Sequence, residues 1–234
     1  MKAKMTFKRY ELKYLLDSEQ KQALLDVMEQ HMSLDSYGRT TIRNIYFDTD
    51  SYRLIRRSIE KPPYKEKLRV RSYGEAGDDD AVFVELKKKY DSVVYKRRLA
   101  LPCRTAMESL CSGKSLGEDS QISREIEYFC RYYKNLRPAM FLSYEREAYY
   151  ALDKSDFRVT FDENILYRTY DFTFEGPAYG KPILGSNQTL MEIKTTGAIP
   201  LWMVHFLTKN NIYKTSFSKY GTAYEMETGG KKYA

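Results

Sequence analysis

Charged and apolar side chains alternate at every second position in segment after segment. This pattern predicts an α+β fold, a curved or closed β-sheet with helices packed outside. The fullest instance is Lys67-Leu68-Arg69-Val70-Arg71, followed by Val84-Glu85-Leu86-Lys87. Successive strand side chains point to opposite faces, so Lys67, Arg69 and Arg71 share one face while Leu68 and Val70 share the other. Glu85 and Lys87 likewise stand opposite Val84 and Leu86, and the acidic stretch Gly74 to Asp80 between the two runs reads as a hairpin turn. The pattern recurs in Arg9-x-Glu11-x-Lys13, Lys96-x-Arg98, Tyr144-x-Arg146, Arg158-x-Thr160-x-Asp162 and Glu192-x-Lys194. A half-exposed sheet explains any single one of these strands. Their recurrence favours a curved or closed sheet that gathers the charged faces into one interior.

In chain order, Phe7 to Leu16 is the first strand. Asp17 then offers an N-cap with Gln20 at the capping-box position, and Leu24, Val27, Met28 and His31 recur at helical spacing, giving a helix over about Glu19 to Met32. Ile42 to Asp48 is a strand, and Ser51 to Ile59 a short helix stopped by Lys61-Pro62-Pro63. The charged hairpin follows, then a strand over Ser92 to Leu101. The period changes over Thr105 to Cys111, a helix ending at Gly113, and again where Ile122, Ile126, Phe129 and Tyr133 mark one apolar stripe. Ala139 to Ala151 and Phe157 to Asp162 read as a strand pair, Ile165 to Phe174 as a strand, and Glu175 to Gln188 as a Gly- and Pro-containing loop. Leu190 to Thr195 is the next strand, and Pro200 opens a helix containing Leu201, Val204 and Leu207.

With 234 residues and no Gly/Ser- or Pro-rich linker, residues 1–234 read as a single domain. The formal net charge of +7 and pI near 9.0 favour anionic partners, although the mixing of acids and bases does not single out nucleic acid. Tyrosine, at 22 residues, suits a β-rich domain and could also supply stacking surfaces for bases. Cys103, Cys111 and Cys130 lack paired ligand spacing and read as reduced thiols, which points to the cytoplasm. His31 and His205 fall in predicted helices and suggest no histidine metal site. The basic start lacks an apolar signal core, and no run of about 18 apolar residues provides a membrane span.

Two cations about 6 Å apart repel by roughly 3 kcal/mol at an effective dielectric near 20, so an enclosed basic lining calls for an anion. An extended one, such as polyphosphate or a nucleoside triphosphate, suits it. There is no Walker motif, Gly-rich dinucleotide loop or nucleophile elbow. Phosphate would therefore be held by side chains.

Phe7-x-Arg9-x-x-x-Lys13-Tyr14, Tyr46-Phe47-Asp48, Leu68-Arg69-Val70-Arg71, Val84-Glu85-Leu86-Lys87, Lys96, Tyr144-x-Arg146, Arg158-x-Thr160-x-Asp162, Glu192-x-Lys194 and Ser218-Lys219 together resemble the VTC (vacuolar transporter chaperone) polyphosphate polymerase domain. That domain belongs to the triphosphate tunnel metalloenzyme, or CYTH-like, superfamily. The resemblance runs from about Phe7 to Tyr224 and implies an antiparallel β-barrel tunnel, with helices outside, that transfers the γ-phosphoryl group of ATP to a growing polyphosphate chain. It implies that Lys13, Arg69, Arg71, Lys87, Lys96, Arg146, Arg158 and Lys219 hold phosphates, with Arg9, Lys67, Arg98 and Lys194 as further contacts to ATP. It also implies that Glu192 holds a divalent metal, Mn²⁺ or Mg²⁺. Glu85, Glu11 and Asp162 are the other metal candidates.

Alternatives stay open at several of these positions. Glu192 and Glu85 can instead pair only with Lys194, Lys87 or nearby arginines. Asp162 can organise a turn at Glu163-Asn164, and Tyr46 and Asp48 can close a strand and cap the next helix. One departure is informative, because many hydrolytic relatives have Glu-x-Glu-x-Lys where this chain has Arg9-x-Glu11-x-Lys13. A base in place of the first acid favours holding phosphate chains over positioning a water. The competing readings are a triphosphatase of the same fold and a non-catalytic module that binds polyphosphate or RNA.

Overall fold

The computed structural model describes residues 10–91 and 93–229. Arg9 and Ser92 lie outside the described residues. In chain order the elements are β1 (Tyr10–Asp17), α1 (Ser18–Met28), β2 (Met32–Leu34), β3 (Thr40–Asp48), α2 (Arg53–Ile59), β4 (Tyr64–Tyr73), β5 (Ala81–Tyr90), β6 (Val93–Pro102), α3 (Cys103–Ser112), α4 (Gln121–Tyr133), β7 (Arg137–Ala151), β8 (Arg158–Arg168), β9 (Lys181–Pro182), β10 (Gln188–Thr195), α5 (Leu201–Lys209), β11 (Lys214–Thr215) and α6 (Lys219–Glu227). The class is α+β, and the pairs β1–β10, β1–β11, β10–β8, β2–β7, β3–β4, β4–β5, β5–β6 and β8–β9 are antiparallel.

The chain forms two compact units, each assembled from three segments. The first comprises Met1–Thr41, Tyr144–Ile165 and Leu184–Ser218. Its strand order is β11-β1-β10-β8, with β2 paired to the second half of β7. Tyr14, Leu16, Val159, Phe161, Met191 and Ile193 line one face of these strands, and α1 and α5 cover them with Leu24, Met28, Met203, Phe206 and Leu207. The Asp17–Gln20 capping box that starts α1 forms as the sequence predicts, with Gln20 N donating to Asp17 Oδ1 at 2.8 Å and Asp17 N donating to Gln20 Oε1 at 3.1 Å.

The second unit comprises Ile42–Ser143, Leu166–Ile183 and Lys219–Ala234. Here β3, β4, β5 and β6 are neighbours in that order. Ile45, Phe47, Leu68, Val70, Val84, Leu86 and Leu99 form the apolar face, packed under Ala106 and Leu110 of α3 and Ile126 and Phe129 of α4. Burying each such side chain contributes about 1.5–3 kcal/mol, which makes this face the stronger determinant of register. The α3 helix ends at Gly113 in the left-handed conformation (φ 69°), as its sequence indicates.

Three expectations need correction. The first helix stops at Met28, because Met32–Leu34 pair with Tyr149–Ala151 and Met32 is buried. His31 therefore lies in a turn and stacks on Trp202 at 4.5 Å. The expected strand over Ile165 to Phe174 ends at Arg168. The buried Arg168 guanidinium donates to the carbonyls of Asp171, Thr173 and Tyr179, so the segment curls around a cation instead of pairing with a strand. The third is Lys219–Glu227, a helix the sequence pattern did not reveal; it buries Tyr220, Ala223 and Tyr224. Cys103 and Cys111 in α3 and Cys130 in α4 are all free thiols.

Candidate phosphate-binding faces

In the second unit the register sets charged side chains in ranks across β3 to β6. Arg69 stands opposite Tyr46 and Glu85, and Glu85 opposite Arg98. Arg71 stands opposite Asn44 and Phe83, while Lys67, Lys87 and Lys96 form the neighbouring rank. Directly opposed residues in an antiparallel pair share a face, so all of these side chains project away from the apolar core. Glu85, 1% exposed, is the centre. Its Oε2 accepts from Arg69 Nη2 at 2.7 Å and Nε at 2.9 Å, with Arg71 Nε 3.9 Å away. Its Oε1 takes Lys96 Nζ at 2.6 Å and Arg98 Nε at 2.8 Å.

Burial alone would raise the Glu85 carboxyl, but these four cations together hold it well below the usual carboxylate range. Burial pushes Lys96 down to about 7, Glu85 resists, and the Arg69 and Arg71 guanidiniums reinforce the fall. The arginines are aimed by further bonds, Arg69 Nη1 to Tyr46 Oη at 2.9 Å, Arg71 Nε to Asn44 Oδ1 at 2.9 Å and Arg98 Nη2 to Tyr73 Oη at 2.8 Å.

In the first unit β1, β10 and β8 present an equivalent face. Glu11 opposes Lys194 and Lys13 opposes Glu192, while Thr160 and Arg158 stand opposite Glu192 and Lys194 on the other side. Glu192 Oε1 lies 3.4 Å from Lys13 Nζ; Oε2 lies 3.2 Å from Lys194 Nζ and 3.8 Å from Arg146 Nη2. Arg146 grips Asp162 through two bonds of 2.6 and 2.7 Å, a bidentate pair that fixes its plane. Burial pushes the Lys194 amine down to about 8 against the attraction of Glu192. Arg158 stacks over Tyr150 at 4.5 Å. Its Nε and Thr160 Oγ1 are buried without a hydrogen-bond partner among the described residues. Such orphaned groups cost about 1–3 kcal/mol each, and an oxyanion would satisfy the Arg158 donor.

Thus Lys67, Arg69, Arg71, Glu85, Lys87, Lys96 and Arg98 share the face in one unit, and Glu11, Lys13, Arg146, Arg158, Asp162, Glu192 and Lys194 that in the other. Lys219 belongs to α6, not to a strand, and is buried at that helix's start. Sequence reasoning missed Asn44, Tyr73 and Tyr150 as supports of the arginines. Asp48 does cap α2, accepting from Leu54 N at 2.9 Å and Ile55 N at 3.0 Å, while Tyr46 does more than close its strand. Asp162 lies within a continuous β8 and pairs with Arg146 instead of organising a turn.

No three His, Cys, Asp or Glu side chains converge into a cation cage among the described residues. Glu85 and Asp162 have both oxygens engaged by bases, and Glu192 presents one carboxylate with Lys194, Lys13 and Arg146 at 3.2, 3.4 and 3.8 Å. That donor set fits a magnesium-like ion bound through one carboxylate and completed by substrate phosphates.

Antiparallel ranks of Lys and Arg around buried carboxylates give this α+β protein two cationic strand faces. A VTC domain model matches residues 8–227, and the chain belongs to the VTC domain family. Among solved structures, a Bacillus halodurans protein described as a candidate adenylate cyclase is 14% identical, with a TM-score of 0.56 and coverage of 92% of this chain and 95% of that one. A Hippeastrum protein described as a candidate adenylyl cyclase with dominant triphosphatase activity is 18% identical, with a TM-score of 0.58 and coverage of 94% and 95%. These two similarities concern the fold alone. No curated protein matches the sequence. Among the described residues no helix is long and apolar enough to cross a membrane.

Proposed function

We propose that this VTC domain is a metal-dependent polyphosphate polymerase. A terminal oxygen of a polyphosphate chain attacks the γ-phosphorus of ATP, the bond from γ-phosphorus to the β,γ-bridging oxygen breaks, and ADP leaves. One phosphoanhydride replaces another, and neither water nor a covalent enzyme intermediate takes part. The proposal includes a single domain over residues 1–234 whose strands close into a tunnel with the basic faces inside, working in the cytoplasm. The observation that supports it best is the convergence of Arg69, Arg71, Lys96 and Arg98 on the one carboxylate of Glu85, an excess of cations suited to a polyanion.

Arg69, Arg71, Lys87, Lys96, Lys13, Arg146, Arg158 and Lys219 hold phosphate oxygens in this scheme, and Arg9, Lys67, Arg98 and Lys194 extend the contacts along ATP. Glu192 would hold the Mg²⁺ or Mn²⁺, which would supply charge neutralisation to the phosphates. Guanidiniums held by Glu85 and Asp162 need no reorganisation as charge spreads over the transferred group. Hydrolysis is the second reading, prompted by the activity attributed to the Hippeastrum protein. Against it, Glu85 and Asp162 are engaged by arginines, and position 9 is Arg.

The test is incubation of purified protein with ATP and Mg²⁺ or Mn²⁺, following ADP, free phosphate and long-chain polyphosphate. ADP with polymer is the expected result. Free phosphate without polymer would establish a triphosphatase instead, and tight polyphosphate binding with no product would leave a binding module. Glu192→Gln should lower turnover by about 10²-fold, roughly 2.7 kcal/mol of transition-state stabilisation, with little change in triphosphate affinity. Near-normal metal-dependent turnover in that variant would remove Glu192 from the mechanism.

A further inference from the structure

The cationic face of β4 to β6 has two unlike ends. At one end Tyr220 of α6 stacks on Tyr46 at 4.6 Å, donates to Asp48 Oδ2 at 2.9 Å, and has the Lys67 ammonium 5.9 Å over its ring. That end is roofed. At the other end, two residues beyond Arg71, Tyr73 is 46% exposed. Its ring stands edge-on to Phe83 at 5.6 Å, and the Arg98 guanidinium lies 4.5 Å over Phe83 while donating to Tyr73 Oη at 2.8 Å. The ring is thus held in a fixed orientation beside the arginine ranks and remains open to solvent.

Parity separates this pair from the other aromatics of the same strands. Tyr73 shares the face of Arg69 and Arg71, and Phe83 that of Glu85. Tyr64, Tyr90 and Tyr95 lie on the opposite parity, and Tyr64 is tied to the carboxylate of Glu66 at 2.5 Å. The chain following Tyr73 is acidic, with Glu75, Asp78, Asp79 and Asp80 before β5 begins. A phosphate group would be repelled there, whereas an uncharged planar ring would not. Same-face ranks are spaced about 7 Å apart along a strand, so a ring on Tyr73 leaves the Arg71 and Arg69/Arg98 ranks for attached phosphates.

We propose that Tyr73, braced by Phe83 and Arg98, stacks the nucleobase of a nucleoside triphosphate and so makes this face selective for nucleotides over inorganic triphosphate. The inference rests on the phosphate-binding reading of the face and adds the base subsite and the polarity of the nucleotide, with phosphates directed toward Lys67, Lys87 and Lys96. Stacking reads no hydrogen-bond pattern, so purine identity should matter little.

The experiment is calorimetric binding of ATP, GTP and inorganic tripolyphosphate to wild type, Tyr73→Ala, Tyr73→Phe and Tyr73→Trp. Tyr73→Ala should weaken ATP about tenfold, equivalent to about 1.4 kcal/mol, and tripolyphosphate less than twofold. The Phe and Trp variants should keep ATP within about twofold, and ATP and GTP should agree within about threefold. Equal losses for ATP and tripolyphosphate, or a Phe variant as weak as the Ala variant, would show that Tyr73 acts only by aiming Arg98 and would overturn the inference. Unchanged ATP affinity in the Ala variant would overturn it too, with the phosphate face intact. Failure of wild type to bind either triphosphate would instead remove the phosphate reading, and the base subsite with it.

Discussion

Lys96 shows how one residue can report on the whole cationic face. Its amine is pushed down to about 7 because desolvation against the sheet and two guanidiniums disfavour the ammonium, with Glu85 in partial opposition. The folded-state value lies below the ordinary 10.5, so between about 7 and 10.5 the folded protein binds fewer protons than the unfolded chain. Stability from this group rises with pH across that window. A phosphate chain beside the amine would raise its pKa again. Tripolyphosphate binding at pH 8 should therefore take up protons, read as a binding heat that varies with the ionisation enthalpy of the buffer. Lys96→Met should reduce the uptake, with the remainder attributable to Lys194, which titrates near 8. A heat independent of buffer would show that no anion reaches these amines.

At the level of elements, Asp48 joins β3, α2 and α6. It is fully buried, receives the amides of Thr49, Leu54 and Ile55, and takes the Tyr220 hydroxyl. Asp48→Ala removes the acceptor of the first α2 amides and strands buried donors, so urea unfolding should reveal a loss of about 2–4 kcal/mol. Arg124→Ala, which breaks an exposed pair with Asp119, should stay within about 0.5 kcal/mol. If the two variants match, Asp48 is not a keystone. Gly180 is a second sensitive point. Its φ of 151° belongs to glycine, and a Cβ would fall 2.4 Å from the Tyr167 carbonyl oxygen. Gly180→Ala should cost about 2 kcal/mol or more, and a neutral outcome would mean that the segment after β8 shifts freely.

For the molecule as a whole, the dominant property is an excess of positive charge gathered on strand faces. Tripolyphosphate at about a hundred times its dissociation constant should stabilise the native state by about 2.7 kcal/mol, or roughly 5–10 °C in Tm. The gain at fixed ligand concentration should shrink as ionic strength rises from about 0.05 to 0.5 M, because the Debye length falls below the spacing between charges. No shift in excess tripolyphosphate, or one indifferent to salt, would argue against an electrostatic phosphate site.

Much of this was legible in the linear chain. A period of two fixes which side chains of a strand share a face, so Lys67 with Arg69 and Arg71, Glu85 with Lys87, and Glu192 with Lys194 follow from the sequence. The capping box at Asp17 and the helix stop at Gly113 are local and were read from neighbouring residues. Membership of the VTC family was also visible in the order of weak motifs. Pairing across long separations was not. The early stop of α1 depends on Met32 meeting Ala151 in the strand order, and the curl after Arg168 depends on a guanidinium competing for carbonyls. Helix α6 owes its place to Tyr220 finding Asp48 and Tyr46. Nor could the sequence say that Glu85 is gripped by Arg69, Arg98 and Lys96 and Asp162 by Arg146. Periodicity determines the face a side chain occupies; only the folded chain determines which distant partner meets it there and at what distance.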